Sequence, residues 1–194
     1  MTEAVIVATA RSPIGRAAKG SLVSIRPDDL SAQIVKALMA KVPSVSASDV
    51  EDLIMGCGQP AGEAGFNIAR VTAVLAGLDE APGVTVNRYC SSSLQTIRMA
   101  AHAIKAGEGD CFIAAGVETV SRYAAGASDT APNSVFSSAG ERTASRAGGG
   151  QGTWSSPSGL PDMYIAMGQT AENVREVENV SRQEMDEFAA LSQQ

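Results

Sequence analysis

Cys90 is the residue whose type and position are best suited to covalent chemistry. It follows the short apolar run GVTVN (83–87), typical of a strand, and precedes SSSLQTIRMAAHAIKAG (91–107), typical of a helix. Unpaired amides and the positive pole of the dipole at a helix N-terminus stabilise an anion, so a thiolate forms more easily there than in solution. The sequence therefore predicts a nucleophile at Cys90, with a small buried thiol as the alternative.

A helical wheel drawn from Cys90 places it at the end of an apolar face that we expect to be buried and that contains Leu94, Ile97, Ala101 and Ile104. His102 is the only histidine, and twelve residues separate it from Cys90. At the rise of a helix this is roughly 18 Å, far beyond the roughly 3 Å that proton transfer allows. His102 is therefore not the base that activates Cys90, and we interpret it as an ordinary helix residue.

The other two cysteines, Cys57 and Cys111, are interpreted as structural. Cys57 lies in the glycine-rich turn GCGQP and Cys111 at the start of an apolar strand. The three cysteines are tens of residues apart, a spacing that indicates neither a disulfide framework nor a zinc site.

Strands and helices alternate over the first 118 residues, which indicates an α/β fold with a mostly parallel sheet. Strands are predicted at 4–10, 49–58, 83–87 and 110–118, and helices from Pro27, over 67–78 and after Cys90.

The chain becomes irregular after Val120, where Gly, Ser, Ala and Pro dominate. Such a composition is typical of a linker, but Phe136, Trp154 and Tyr164 favour a loop-rich insertion that packs against something. Two helices are predicted after residue 166, the second opened by a capping box of Ser181 and Glu184.

Composition excludes some classes of function. The formal net charge of -6 gives no general attraction to nucleic acid or anionic lipid. No apolar run approaches the roughly 20 residues of a membrane span. We expect a cytoplasmic protein without nucleic-acid or membrane partners.

Five segments, in this order, resemble the thiolase family, which comprises the 3-ketoacyl-CoA thiolases and acetyl-CoA acetyltransferases. They are AVIVATARSPIG, LIMGCGQPAGEAGFNIAR, TVNRYCSSSLQTIRMAAHAI, IAAGVETVS and MGQTAENV. The resemblance runs across essentially the whole chain.

The resemblance implies a thiolase-like α/β/α/β/α layered fold, of which this chain is an incomplete first half with an inserted loop domain. Residues 1–118 would form the α/β domain and 119–194 most of the loop domain. Cys90 matches the nucleophile that carries the acyl group as a thioester. Met167 matches a residue of the acyl and pantetheine pocket, although ordinary helix packing stays open for it, and Gln193 falls near a coenzyme A contact. Coenzyme A is a substrate here, and neither a cofactor nor a metal is implied.

The chain departs from the family pattern in three ways. Ser93 replaces a glycine, and Ala166 stands where some members have a histidine. The third departure is the absence of the family's second half, with its Gly-His-Pro, Asn-Glu-Ala-Phe and Cys-Gly-Gly segments. We therefore expect an isolated chain to be close to inactive and to associate, either as a homo-oligomer or with a chain that supplies the second half.

The implied activity is acyl transfer between a 3-ketoacyl-CoA and CoA in lipid metabolism, as in fatty acid β-oxidation, with the direction left open. Two alternatives remain at this stage: a noncatalytic fragment that needs a complementary chain, and a ketoacyl-synthase-like condensing enzyme.

Overall fold

The computed structural model describes residues 3–123, 133–148, 154–155 and 158–194. The chain divides into two compact units, Met1–Asp129 and Thr130–Gln194. The first unit contains α1 (Pro27–Lys41), β1 (Asp52–Gly56), α2 (Ile68–Ala76), β2 (Gly83–Val86), α3 (Ser92–Ala106) and β3 (Phe112–Gly116). The second contains α4 (Ser137–Ala147), α5 (Met167–Val177) and α6 (Arg182–Gln193). Within the described ranges, the structure holds no helix with the length and apolarity of a membrane span.

The strands of the first unit form a parallel sheet in the order β2-β1-β3. Leu53 of β1 is paired with Gly83 on one side and with Ile113 on the other. Strand β1 is thus central, and its last four residues are buried. A parallel sheet of apolar strands joined by helices confirms the predicted α/β class.

Helices cover both faces of this sheet. Leu53 and Met55 belong to the hydrophobic core that also includes Val35 of α1 and Ile68 of α2. Successive side chains of a strand point to opposite faces, so Gly56 faces the other way. A Cβ built on Gly56 would lie 2.7 Å from the Ser92 backbone carbon, so α3 packs on that second face.

The predicted strand over residues 4–10 is wrong. Val5, Ile6 and Val7 are 72%, 73% and 72% exposed, and among the described residues the segment pairs with none of the three strands. Because β propensity reflects packing on a sheet surface, an apolar β-branched run without a hydrogen-bonded neighbour does not become a strand.

The second unit is helical. Helix α4 lies in the Gly- and Ser-rich region where periodicity predicted no element, so this part is more than a linker. The two predicted C-terminal helices are confirmed, and the capping box is present: the Ser181 hydroxyl accepts a hydrogen bond from the Glu184 amide at 3.2 Å, and the Glu184 carboxylate accepts one from the Ser181 amide at 2.8 Å. Residues 124–132, 149–153 and 156–157 of the predicted loop-rich insertion lie outside the described residues.

Candidate functional site

Cys90 lies in a single 3-10 turn, Tyr89–Ser91, that leads directly into α3. Its side chain is exposed, unlike that of Cys57. The strand, turn and helix predicted around it are all present, because β2 ends at Val86 and α3 begins at Ser92. Cys90 is therefore an accessible thiol at the start of a helix rather than a buried apolar side chain.

The predicted buried face of α3 is wrong at Leu94 and Ile97, whereas Ala101 and Ile104 of the same face are half-buried. Leu94 is 69% exposed and Ile97 is 44% exposed, whereas the buried residues of the helix are Ser92, Thr96 and Ala100. The helix approaches the sheet at glycines of β1 and β3, and only small side chains fit between closely spaced backbones. Helix α3 therefore buries its small residues and leaves an apolar stripe at the surface.

The turn before Cys90 has an unusual backbone. Tyr89 has a φ of +46°, in the left-handed region that an aromatic residue rarely adopts. Its amide donates to the Asn87 side-chain oxygen at 2.8 Å. The Ser92 hydroxyl donates to the Tyr89 carbonyl at 2.6 Å and accepts from the Arg88 amide at 2.8 Å. These short-range hydrogen bonds hold the chain on either side of Tyr89.

Ser93, the residue at the family's glycine position, fits against Gly116 at the end of β3. A Cβ built on Gly116 would overlap the Ser93 hydroxyl and lie 3.1 Å from the Ser93 Cβ. The Thr96 hydroxyl donates to the Ser93 carbonyl at 2.8 Å and to the Ala115 carbonyl at 3.2 Å. The absence of a side chain at residue 116 thus accommodates the serine.

Glu118, just beyond β3, is a residue that the sequence analysis did not single out. Its carboxylate accepts hydrogen bonds from the amides of Gly58 at 2.9 Å and Gln59 at 3.2 Å, and its Oε1 lies 3.4 Å from the Cys57 sulfur. Burial and the Glu118 carboxylate raise the pKa of Tyr123. A charged residue shortly after an apolar parallel strand, in IAAGVETVS, is the signal that could have identified Glu118.

The environments of the other two thiols agree with structural roles. Cys57 is 2% exposed, and burial, together with the Glu118 carboxylate, raises its pKa to about 12. Burial also raises the pKa of the half-buried Cys111, with smaller contributions from Asp49 and Glu51. Neither thiol is suited to form a thiolate near neutral pH.

His102 is exposed on α3, as expected for an ordinary helix residue. Within the part of the chain that the structure describes, His, Cys, Asp and Glu side chains form no group of three that could hold a metal ion.

The other two predicted site residues lie in the second unit, at helix ends. Met167 is the first residue of α5 and is 67% exposed, and Gln193 is the last residue of α6. The structure describes each unit by itself, so Met167 and Gln193 stay predictions as partners of Cys90.

A groove of about 550 Å³ lies in the second unit. Helix α4 forms one side, and the segment leading into α5, including Ala166, forms the other. The rings of Phe136 and Tyr164 meet edge to face with their centroids 5.9 Å apart, and the Tyr164 hydroxyl accepts a hydrogen bond from the Asn133 amide at 3.2 Å. The contact between Phe136 and Tyr164 agrees with the prediction that the aromatic residues of this region pack in a structured insertion.

Comparison with known proteins gives relatives along the whole chain. The chain is 40% identical to a 3-ketoacyl-CoA thiolase of Bacillus subtilis, over 100% of this chain and 44% of the relative. It is 44% identical to a beta-ketoadipyl-CoA thiolase of Acinetobacter baylyi, over 100% of this chain and 47% of the relative. A 3-ketoacyl-CoA thiolase of Shewanella frigidimarina is 48% identical over 61% of this chain and 31% of the relative.

These relatives are longer than this chain, which spans about half the length of the curated relatives it matches. The family model described as "Thiolase, N-terminal domain" matches residues 4–194. The chain therefore belongs to the thiolase family and carries its N-terminal domain.

Proposed function

We propose that this chain supplies the nucleophilic half of a thiolase, an acyltransferase that moves an acyl group between a 3-ketoacyl-CoA and CoA. The observation that carries the proposal is the exposed thiol of Cys90 at the entry to α3, in a chain that the N-terminal thiolase family model covers from residue 4 to residue 194. A helix N-terminus favours the thiolate, which is the form of cysteine that attacks a carbonyl.

The first half of the proposed reaction makes an acyl-enzyme. The Cys90 thiolate attacks the 3-keto carbon of the substrate and forms a carbon–sulfur bond. The bond between C2 and C3 then breaks, and its electron pair leaves on C2 of acetyl-CoA, which takes up a proton. The shortened acyl group remains on Cys90 as a thioester.

The second half releases this acyl group. The thiol of free CoA loses its proton and attacks the thioester carbonyl, and Cys90 leaves as a thiolate. Both halves need groups that accept and donate protons, and His102 lies too far along α3 to serve Cys90. We infer that these groups come from a C-terminal thiolase half, so the isolated chain is close to inactive.

The proposed substrate class is the 3-ketoacyl-CoA thioesters, for which the relatives from Bacillus and Acinetobacter are named. Coenzyme A acts as a substrate, and the reaction as written requires no cofactor. The exposed Met167 is proposed to contact the acyl and pantetheine part, and Gln193 the coenzyme A. The groove beside Ala166 is the candidate binding region in the second unit.

The proposed partner is a C-terminal thiolase half, either as a separate chain or in a longer form of this one, in a homo-oligomer in the cytoplasm. Leu94 and Ile97 are exposed three residues apart on α3, and Tyr89 is exposed just before the helix. Exposed apolar side chains on one helix face support a partner that covers them, because exposed apolar patches mark interaction sites. The part of the longer relatives that this chain does not span is the candidate for this partner.

The deciding experiment is acetyl transfer from acetyl-CoA to Cys90, read by peptide mass spectrometry. The chain is incubated with acetyl-CoA alone and with a polypeptide that carries a C-terminal thiolase half. We expect acetylation of Cys90 with the second half present, much less without it, and none in Cys90→Ser. Cys111→Ser is the matched control and should be acetylated like the unaltered chain.

Gel filtration of the same samples tests the partner, since the two halves should elute together. Co-elution without acetylation of Cys90 would favour the alternative, a noncatalytic fragment that binds a complementary chain. Transfer of the acyl group from Cys90 to a malonyl thioester, with release of CO₂, would instead favour a ketoacyl-synthase-like enzyme.

A further inference from the structure

We propose that Glu118 is a positioning residue for Cys90, because it holds the turn at residues 57–59 against the Tyr89 backbone and so fixes the conformation that presents the thiol. The inference rests on the proposed function and deepens it, since it concerns the same nucleophile. Glu118 itself would not touch the substrate.

The first step is the hold of Glu118 on the turn. Both carboxylate oxygens accept an amide hydrogen bond, Oε2 from Gly58 at 2.9 Å and Oε1 from Gln59 at 3.2 Å. In the described part of the chain, no lysine or arginine forms a salt bridge with Glu118. Hydrogen bonds to an ionised acceptor are stronger than those between neutral groups, so the turn is firmly held to the end of β3.

The second step is the contact of the turn with the residue before Cys90. A Cβ built on Gly58 would lie 2.8 Å from the Glu118 Oε2 atom and 3.5 Å from the Tyr89 Cα. Gly58 therefore lies beside both the carboxylate and the Tyr89 backbone, and a side chain at residue 58 would displace the end of the Glu118 side chain. A displacement of the turn would change the backbone that lies next to Tyr89.

The third step is the backbone of Tyr89. A left-handed φ is unfavourable for a residue with a bulky side chain and persists only where the surroundings enforce it. The hydrogen bonds that Tyr89 donates to Asn87 and accepts from Ser92 are local, whereas the neighbouring Gly58 is far from Tyr89 in sequence. If Glu118 releases the turn, Tyr89 can relax, and the Cys90 thiol then turns away from the α3 terminus.

The test is the rate of Cys90 alkylation by iodoacetamide in the full chain and in Glu118→Gln, followed at peptide level over a range of pH. Glutamine must place an NH₂ group where an oxygen now accepts an N–H donor. We expect alkylation at neutral pH to slow by about twofold to fivefold, the range of a helix-terminus interaction with an anion, and the pH profile to move to higher pH.

Two controls separate positioning from loss of structure. Glu63→Gln removes another paired carboxylate of the same unit, one that binds Arg122 and Arg26, and should leave the Cys90 rate unchanged. Cys111 lies at the opposite end of β3 and reports opening of the sheet, so its alkylation rate should not rise in Glu118→Gln.

A second variant, Gly58→Ala, disturbs the same part of the turn while Glu118 is retained. It should slow the alkylation of Cys90 by a similar factor. If Glu118→Gln does not fold, Gly58→Ala still tests the inference. An unchanged Cys90 rate in a folded variant, equal slowing in Glu63→Gln, or faster labelling of Cys111 would overturn the inference. Alkylation needs neither CoA nor a second half, so a failure of acetyl transfer to Cys90 would count against the proposed function alone.

Discussion

The two units of the chain are stabilised in different ways. The first unit has a continuous core around β1, in which Leu53, Met55 and Ile68 are fully buried. In the second unit, the buried residues among those described are Ala139 and Asn173. Its helices are joined by polar contacts such as the 2.7 Å ion pair between Arg146 of α4 and Glu176 of α5.

The difference in packing suits the two units to different proposed roles. A close-packed sheet and helices can hold a turn such as Tyr89–Ser91 in one conformation, which a nucleophile requires. A helical unit with little buried apolar surface opens more easily, as ligand-binding segments commonly do. We expect the first unit to fold cooperatively and the second to respond more strongly to pH, to capping changes and to ligands.

The largest effect is expected for Leu53→Ala, which removes a fully buried side chain from the centre of the sheet. Such a change typically lowers the free energy of unfolding by about 2–5 kcal/mol. Pulsed labelling of the buried Cys57 in denaturant would measure unfolding of the first unit, and fluorescence of Trp154, the only tryptophan, would report the second.

The matched control is Leu191→Ala on α6, because that leucine is 68% exposed. A change at an exposed site is usually within about 0.5 kcal/mol. If Leu53→Ala had no larger effect than Leu191→Ala, the contrast between a packed and an open unit would be wrong.

The next largest effect is expected where α3 meets β3. Gly116→Ala places a methyl group against Ser93, and overpacking of this kind costs about 1–3 kcal/mol. Ser93→Gly, the residue typical of the family at this position, should relieve the clash, so the double variant should be more stable than Gly116→Ala despite the cost of a helical glycine. Denaturant midpoints of the two single variants and the double variant would measure this coupling, and strictly additive effects would contradict it.

The alternation of strands and helices in the first unit could be predicted from the sequence, because each strand of the sheet is a short apolar run that ends at or near a breaker. Gly77 marks the end of α2 and has a φ of +85°, as a C-terminal glycine should. The strand at 4–10 could not be judged in the same way, since a strand exists only with a neighbour. The composition of a segment does not say whether that neighbour is available.

The candidate site was predictable only in part. Cys90 could be identified from its position between a strand and a helix. The burial of Ser92 and Thr96 instead of Leu94 could not, because it depends on how closely α3 approaches the glycines of the sheet. Glu118 acts across some 60 residues of sequence, so no local pattern reveals its partners.

A smaller effect is expected at the start of α6. Ser181→Ala removes the side chain that caps the helix, a loss of about 1 kcal/mol. Amide hydrogen exchange should become faster at Glu184 and Met185, while β1 keeps its protection. Ser192→Ala, in the last turn of the same helix, is the control and should leave exchange at the start of α6 unchanged. Loss of protection in β1 would show that the two units do not respond independently.

The smallest expected effect is on the stability of the second unit at acidic pH. The hydrogen bond from Arg146, supported by the Trp154 amide, lowers the pKa of Glu176. Because the folded pKa is depressed, the stabilisation is complete above the ordinary glutamate value and is lost as the pH falls through the folded pKa. We expect Trp154 fluorescence to show an acid transition below about pH 5 that is weaker in Glu176→Gln and unchanged in the control Glu187→Gln. Labelling of Cys57 at each pH reports the first unit separately. If both probes gave the same acid midpoint, and Glu176→Gln did not change it, the polar stabilisation assigned to the second unit would be wrong.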